Sequence, residues 1–201
     1  MNDFGQTDHI TDLFEQINTA YSGGGSIFDD ITADDLVLAF FPCTRFEAKI
    51  PLGFRGEMHQ MKQWDNIKRL EYAINLHNEL HNLYVLICKL FIIAYRKGFP
   101  MIVENPYTQP HYLTTYFPVK PSVIDNNRME NGDYYKKPTQ FWFLNLTPMA
   151  NIVFEPLELT PIVTVDNAHK FKVAGGRKVA RSMIHPQYAR RFIKGYILDR
   201  E

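Results

Sequence analysis

The sequence predicts an α/β protein built on a mostly parallel sheet flanked by helices, and three stretches carry that prediction. An unbroken apolar run, Leu36 to Phe41, stops at Pro42-Cys43. A long segment, Trp64 to Lys97, places Leu70, Ile74, Leu80, Leu83, Tyr84, Ile87, Leu90 and Phe91 largely at spacings of three and four. A second short apolar run, Met101 to Val103, leads into Glu104-Asn105-Pro106. Strand, helix and strand in that order make a right-handed βαβ unit with parallel strands.

Each element has its own local reason. Asp12 to Tyr21 reads as a short helix, stopped by the glycines of Ser22 to Ser26. Asp34 to Phe41 reads as a strand, and its continuous apolar character predicts burial on both faces. Glu47 to Gln63 is mixed in character and reads as a loop free to move over a site. The long helix contains the most apolar stretch, Leu83 to Tyr95, which is too short to span a bilayer and includes Lys89. Gly98 and Pro100 end it. Tyr107 to Lys137 lacks periodicity, Thr139 to Leu146 reads as a strand, and Ala150 to Val165 as short strand or loop. His169 to Ser182 is a basic loop, and Ile184 to Leu198 a last helix starting near Pro186. The expected organisation is one domain over 1–201: an atypical N-terminal segment (1–33), a strand–helix–strand core (34–106) and a C-terminal half (107–201).

Composition narrows the function classes. The chain has 201 residues, 45% apolar and 22% charged, with 22 basic and 22 acidic side chains in balance. No net charge advertises nucleic acid or an anionic membrane, although a local basic patch is compatible with that balance. Two distant cysteines, Cys43 and Cys88, make neither a disulfide framework nor a CxxC zinc site. They predict a reducing, cytoplasmic setting, and the N-terminus lacks the pattern of a secretory signal. Among the 7 histidines, His77 and His81 share a helix face, but without the HExxH pattern or a third ligand no metal site is predicted. Tyr107, Tyr112, Tyr116, Phe117, Tyr134 and Tyr135 suit either base stacking or core packing.

Ligands in open α/β sheets lie beyond the carboxyl ends of the strands. If the two predicted strands are adjacent, about 5 Å apart, Cys43 and Glu104 become neighbours at one sheet edge. A thiolate beside a carboxyl can attack an electron-poor ring while the acid serves the ring nitrogen. The thiolate needs local positive charge, for which Arg45 is the nearby candidate. Core filling by Cys43 and solvation of Glu104 are the alternative reading.

At these residues the chain resembles the DNA cytosine-5 methyltransferases, in particular their short, phage-like members. "FPCTRF" resembles the family's Pro-Cys segment, "VENP" its Glu-Asn-Val segment, "KKPTQFW" a Lys-Pro-Thr-x-x-Trp segment, and "ARSMIHPQYA" the stretch before the last helix. The resemblance spans Asp34 to Ala189. It implies a class I methyltransferase-like, Rossmann-like fold, S-adenosylmethionine as donor and cytosine in double-stranded DNA as acceptor. Cys43 would add to C6 of the ring and Glu104 would assist at N3. Asn105 and Pro106 would shape the turn that holds Glu104. Arg45, Asn105, Lys136, Lys137, Arg177, Lys178 and Arg181 would face nucleic acid. Pro42 and Ser182 would face the donor, together with one acidic residue, either Asp12 or, in its place, Asp29 or Asp30.

The pattern also departs from the family. The segment before Asp34 is too short for the two strand–helix units that hold the donor, "YSGGGS" is not the Gly-rich turn, and a clear Gln-x-Arg-x-Arg segment is lacking. The expectation is therefore a degenerate or partner-dependent methyltransferase, or a non-enzymatic binding scaffold. The free sheet edge would be covered by the N-terminal helix, a second copy or a complementing chain.

Overall fold

The computed structural model describes residues 12–47, 49–157 and 183–198. Ser182, Arg177, Lys178, Arg181 and the basic loop His169 to Ser182 lie outside the described residues.

The predicted βαβ unit is present. β1 (Val37–Phe40) pairs in parallel with β2 (Met101–Pro106), and the helix between them runs from Asn66 to Lys97. That helix is numbered α3, after α1 (Leu13–Tyr21) and α2 (Ile50–Phe54). Its ends are written locally. The Asp65 side chain accepts the Lys68 N–H at 2.8 Å, and Gly98 takes the left-handed conformation (φ 78°) while its N–H donates to Ala94 O.

The sheet order is β1-β2-β4-β3, with β3 at Val123–Asp125 and β4 at Thr139–Leu144. β4 is antiparallel to both β2 and β3. The expected mostly parallel sheet is thus corrected to a mixed one in which only the β1–β2 pairing is parallel. A parallel neighbour needs a crossover, usually helical, and β3 reaches β4 through nothing longer than a 3₁₀ turn, Arg128–Asn131.

Two apolar layers cover the sheet. On one face Val103, Trp142 and Leu144 pack against Ile87, Leu90 and Phe91 of α3, with Phe99 and Phe117 alongside. α4 (Tyr112–Tyr116) leads into Phe117, whose ring meets those of Phe91 and Trp142 edge to face. On the other face Ile102, Phe141 and Phe143 pack beneath α5 (Pro186–Tyr196) through Phe192 and Tyr196.

β1 differs from its expectation. Val37 and Ala39 pack on the α3 side, but Leu38 is 50% exposed and Phe40 63% exposed. The apolar run predicts two buried faces, whereas β1 ends the sheet among the described residues and α5 lies over its neighbours. Nor does α1 cover the edge. Its buried Ile17 joins the α3 core, and Asn18 accepts a hydrogen bond from Lys89 of α3 at 2.7 Å.

The segment Glu47 to Gln63 also contains more regular structure than the expected loop. It holds α2 and a 3₁₀ turn (His59–Met61), with Ile50 and Met61 buried. A Cβ on Gly53 would come 2.8 Å from Leu76 Cδ2, so glycine permits α2 to lie against α3.

Candidate functional site

The strand-to-turn step at Pro42-Cys43 has a packing cause. Phe41 and Phe46 are both buried, with ring centroids 6.4 Å apart. The Phe46 N–H donates to Cys43 O at 2.9 Å, so the residues between them form a tight projecting turn. Pro42 cannot donate to a continued ladder. The turn is fastened twice: Asn105 Nδ2 donates to Phe41 O at 2.9 Å, and Tyr112 N–H donates to Phe46 O at 2.9 Å.

The register opposes Phe40 and Glu104, so the Cys43 turn follows β1 at the end of the sheet that holds Glu104, whose charge reaches the thiol. Glu104 is 9% exposed, and its Oε1 lies 3.4 Å from Lys137 Nζ and 3.8 Å from Arg128 Nη1. Buried Arg128 also pairs with Asp133 and rests over the Tyr188 ring at 4.5 Å. The Tyr188 hydroxyl donates to Asp125 Oδ2 at 3.2 Å, and burial, followed by the Asp125 charge, pushes its pKa well up. The His185 N–H donates to Asp133 Oδ1 at 2.9 Å, which ties the start of α5 into the same network.

The surroundings of the Cys43 thiol favour its protonated form. Burial pushes its pKa up and Glu47 adds to the rise; Lys137 opposes them, and Glu104 adds a smaller upward push. Arg45 is not among the charges that act on the thiol, and its guanidinium pairs with Glu79 on α3. Nearby, His111 is 1% exposed and its pKa is pushed down to about 4 by burial, against the pull of Glu47. Its ring lies 6.1 Å from Phe46, and neither ring nitrogen has a hydrogen-bond partner among the described residues.

The structure therefore gathers Cys43, Glu104, Asn105 and Lys137 at one end of the β1–β2 pair. Asn105 is fully buried and holds the turn, so it offers DNA no surface in this structure. Lys136 is exposed on the same segment as Lys137. The residues assigned toward the donor do not gather. Asp12 caps α1, accepting the Phe14 N–H at 2.9 Å, and exposed Asp30 closes the 3₁₀ turn Ile27–Asp29. Asp29 instead pairs with Lys97. Pro42 borders a cavity of about 600 Å³ between α1 and α3, also lined by Phe14, Arg45 and Glu79. Neither Cys43 nor Glu104 lines that cavity, and two of its cations are already engaged, Arg45 by Glu79 and Lys89 by Asn18.

His77 stacks on Phe54 at 4.1 Å, and His81 lines the same cavity as Pro42. No group of three His, Cys, Asp or Glu among the described residues is placed to hold a metal ion. Of the aromatic residues considered for base stacking, Phe117 and Tyr112 pack in or against the α3 core and Tyr116 is exposed.

Arg128, Glu47 and His111 are neighbours of this candidate site that sequence reasoning does not single out. Arg128 stands between Asp125 and Asp133, a weak signal of a paired cation; His111 and Glu47 carry none.

Fold and site together define an α/β protein carrying a thiol and a carboxylate where two parallel strands end side by side. No protein-family model matches the chain, no curated protein matches it, and no solved structure matches it. No helix among the described residues is long and apolar enough to cross a membrane.

Proposed function

We propose that the chain is a DNA cytosine-5 methyltransferase-like protein that carries the base-handling half of the site and depends on a partner chain for S-adenosylmethionine. The observation that carries this reading is the parallel pairing of β1 and β2 with Phe40 opposite Glu104, which sets the Cys43 turn beside a carboxylate held by two cations. On this reading the Cys43 sulfur adds to C6 of a cytosine, Glu104 meets N3, and Lys137 steadies Glu104. The base reaches them only when turned out of the duplex. The residues present do not fit the donor: Asp12 and Asp30 serve helix ends, and no described strand continues the sheet beyond β1.

The test uses duplex DNA in which 2-pyrimidinone, a ring more open to attack at C6, replaces cytosine. The expected result is a protein–DNA adduct on a denaturing gel that increases at alkaline pH, and DNA binding without adduct for Cys43→Ala. An equal adduct with Cys43→Ala would refute the assignment of the nucleophile.

A second reading, a non-enzymatic protein- or nucleic-acid-binding scaffold, is favoured by the upward push on the Cys43 thiol. It predicts binding with no adduct for the unaltered chain at any pH.

A further inference from the structure

We propose that the outer edge of β1 is a self-pairing interface, on which a second copy of this chain adds its own β1 antiparallel across a two-fold axis through Ala39. The inference rests on the edge itself, the same edge at which a donor-supplying partner chain would add strands, so the two occupants exclude one another. The Val37 N–H donates to Pro100 O at 3.0 Å, toward β2. Peptide groups alternate in direction along a strand. The N–H and C=O groups of Leu38 and Phe40 therefore point away from β2, and no described strand meets them.

Those two residues are also the exposed apolar pair, standing on the face that carries α5. They border an apolar cleft that continues under α5 through Ile102, Phe192 and Ile193. Such an edge is a template for another strand.

The edge fits itself in three ways. Leu38 and Phe40 flank Ala39 symmetrically, so a two-fold there opposes Leu38 to Phe40 of the second copy, and Phe40 to its Leu38. Both become hydrogen-bonded pairs, in which each residue donates to and accepts from the other. Their side chains then gather on one face, beside the apolar cleft. Second, Pro42 lacks an N–H and limits the ladder to this short central stretch. Third, the charges are arranged end to end. Exposed Asp34 and Asp35 precede β1; the turn after it carries Arg45, paired with Glu79, and exposed Lys49, paired with Glu47 at 2.7 Å, so the stretch Phe41 to Lys49 keeps one net positive charge. Antiparallel pairing brings the acidic approach of one copy toward this net-positive turn of the other, whereas parallel pairing would set the two acidic approaches together. An isologous contact requires this kind of self-complementarity.

Sedimentation equilibrium over a wide concentration range tests the proposal. The unaltered chain should dimerise, and Phe40→Lys should raise the dissociation constant by about tenfold or more with an unchanged circular dichroism spectrum. A second measurement reports register. Leu38→Cys protein mixed with Phe40→Cys protein should form a disulfide joining the two different variants, identified by peptide mapping, in preference to either symmetric product. A monomer at every concentration would overturn the proposal. So would a dimer untouched by Phe40→Lys, or crosslinking that favours two copies of the Leu38→Cys protein joined to each other. Protection of the Leu38 and Phe40 amides from hydrogen exchange in a monomer would assign the edge to another part of the same chain, and would also overturn it.

Discussion

At the scale of single residues, the site is shaped by groups whose effect on Cys43 and its neighbours has a definite sign. Burial and the Glu47 charge both hold the Cys43 thiol in its protonated form. Removing the charge with Glu47→Gln should lower the thiol pKa and speed iodoacetamide alkylation of Cys43 at pH 8 by roughly two- to tenfold. Lys137→Gln should slow it. Mass mapping separates Cys43 from Cys88, and no change in either variant would show that the two charges do not reach the thiol. His111 gives a second signed effect. Its pKa is about 4 in the fold, against 6.5 for a free histidine side chain. The unfolded chain therefore binds more protons between those values, and the contribution is fully present above 6.5 and lost as pH falls toward 4. The span corresponds to a loss of roughly 3 kcal/mol. Urea unfolding at pH 7 and pH 4.5 should show most of this loss, and His111→Phe should reduce the difference. An equal difference in that variant would place the acid sensitivity elsewhere.

At the scale of elements, the parts that a sequence can announce are those whose causes are local. α3 is legible because its apolar spacing, the Asp65 cap and the Gly98 stop all lie within the helix or next to it. β2 is legible because a short apolar run follows that stop. β3 is three residues long and sits in polar surroundings, so nothing local marks it as a strand. The apolar run marks β1 correctly as a strand and wrongly as buried on both faces, because no described strand lies beyond it and α5 packs on Ile102, Phe141 and Phe143 of its neighbours instead. The nearness of Cys43 to Glu104 is legible through topology alone. The Arg128 contact is not, since it depends on how the turn after β3 reaches back to β2. Asn105 joins these levels: it belongs to β2 but fastens the turn that follows β1. Asn105→Leu should leave Phe41 O without its partner and cost about 1–3 kcal/mol. It should also loosen the Cys43 turn, seen as faster alkylation of Cys43 and faster hydrogen exchange at Phe46. Unchanged stability and unchanged alkylation would mean that the Tyr112 fastening suffices.

At the scale of the whole molecule, the proposed reading makes the chain one half of a two-substrate site. The target-side groups converge: a turn pinned by two buried phenylalanines, a carboxylate between two cations, and an asparagine that joins their strands. The donor-side groups are dispersed over helix caps and over a cavity whose charged residues already have partners. A ligand that binds only the folded state stabilises it by RT ln(1 + [L]/Kd), about 2.7 kcal/mol at a concentration of 100 Kd. For a domain of this size that raises Tm by roughly 5 °C or more. S-adenosylmethionine at about 1 mM should therefore leave the Tm of the chain unmoved unless its Kd lies well below that concentration, and convergent donor groups are what such a Kd would require. On the proposed reading a DNA duplex with an extruded base should raise Tm under the same conditions, through Cys43, Glu104 and Lys137. A donor-induced rise in the chain alone would overturn the partner-dependent reading and return the donor site to this polypeptide.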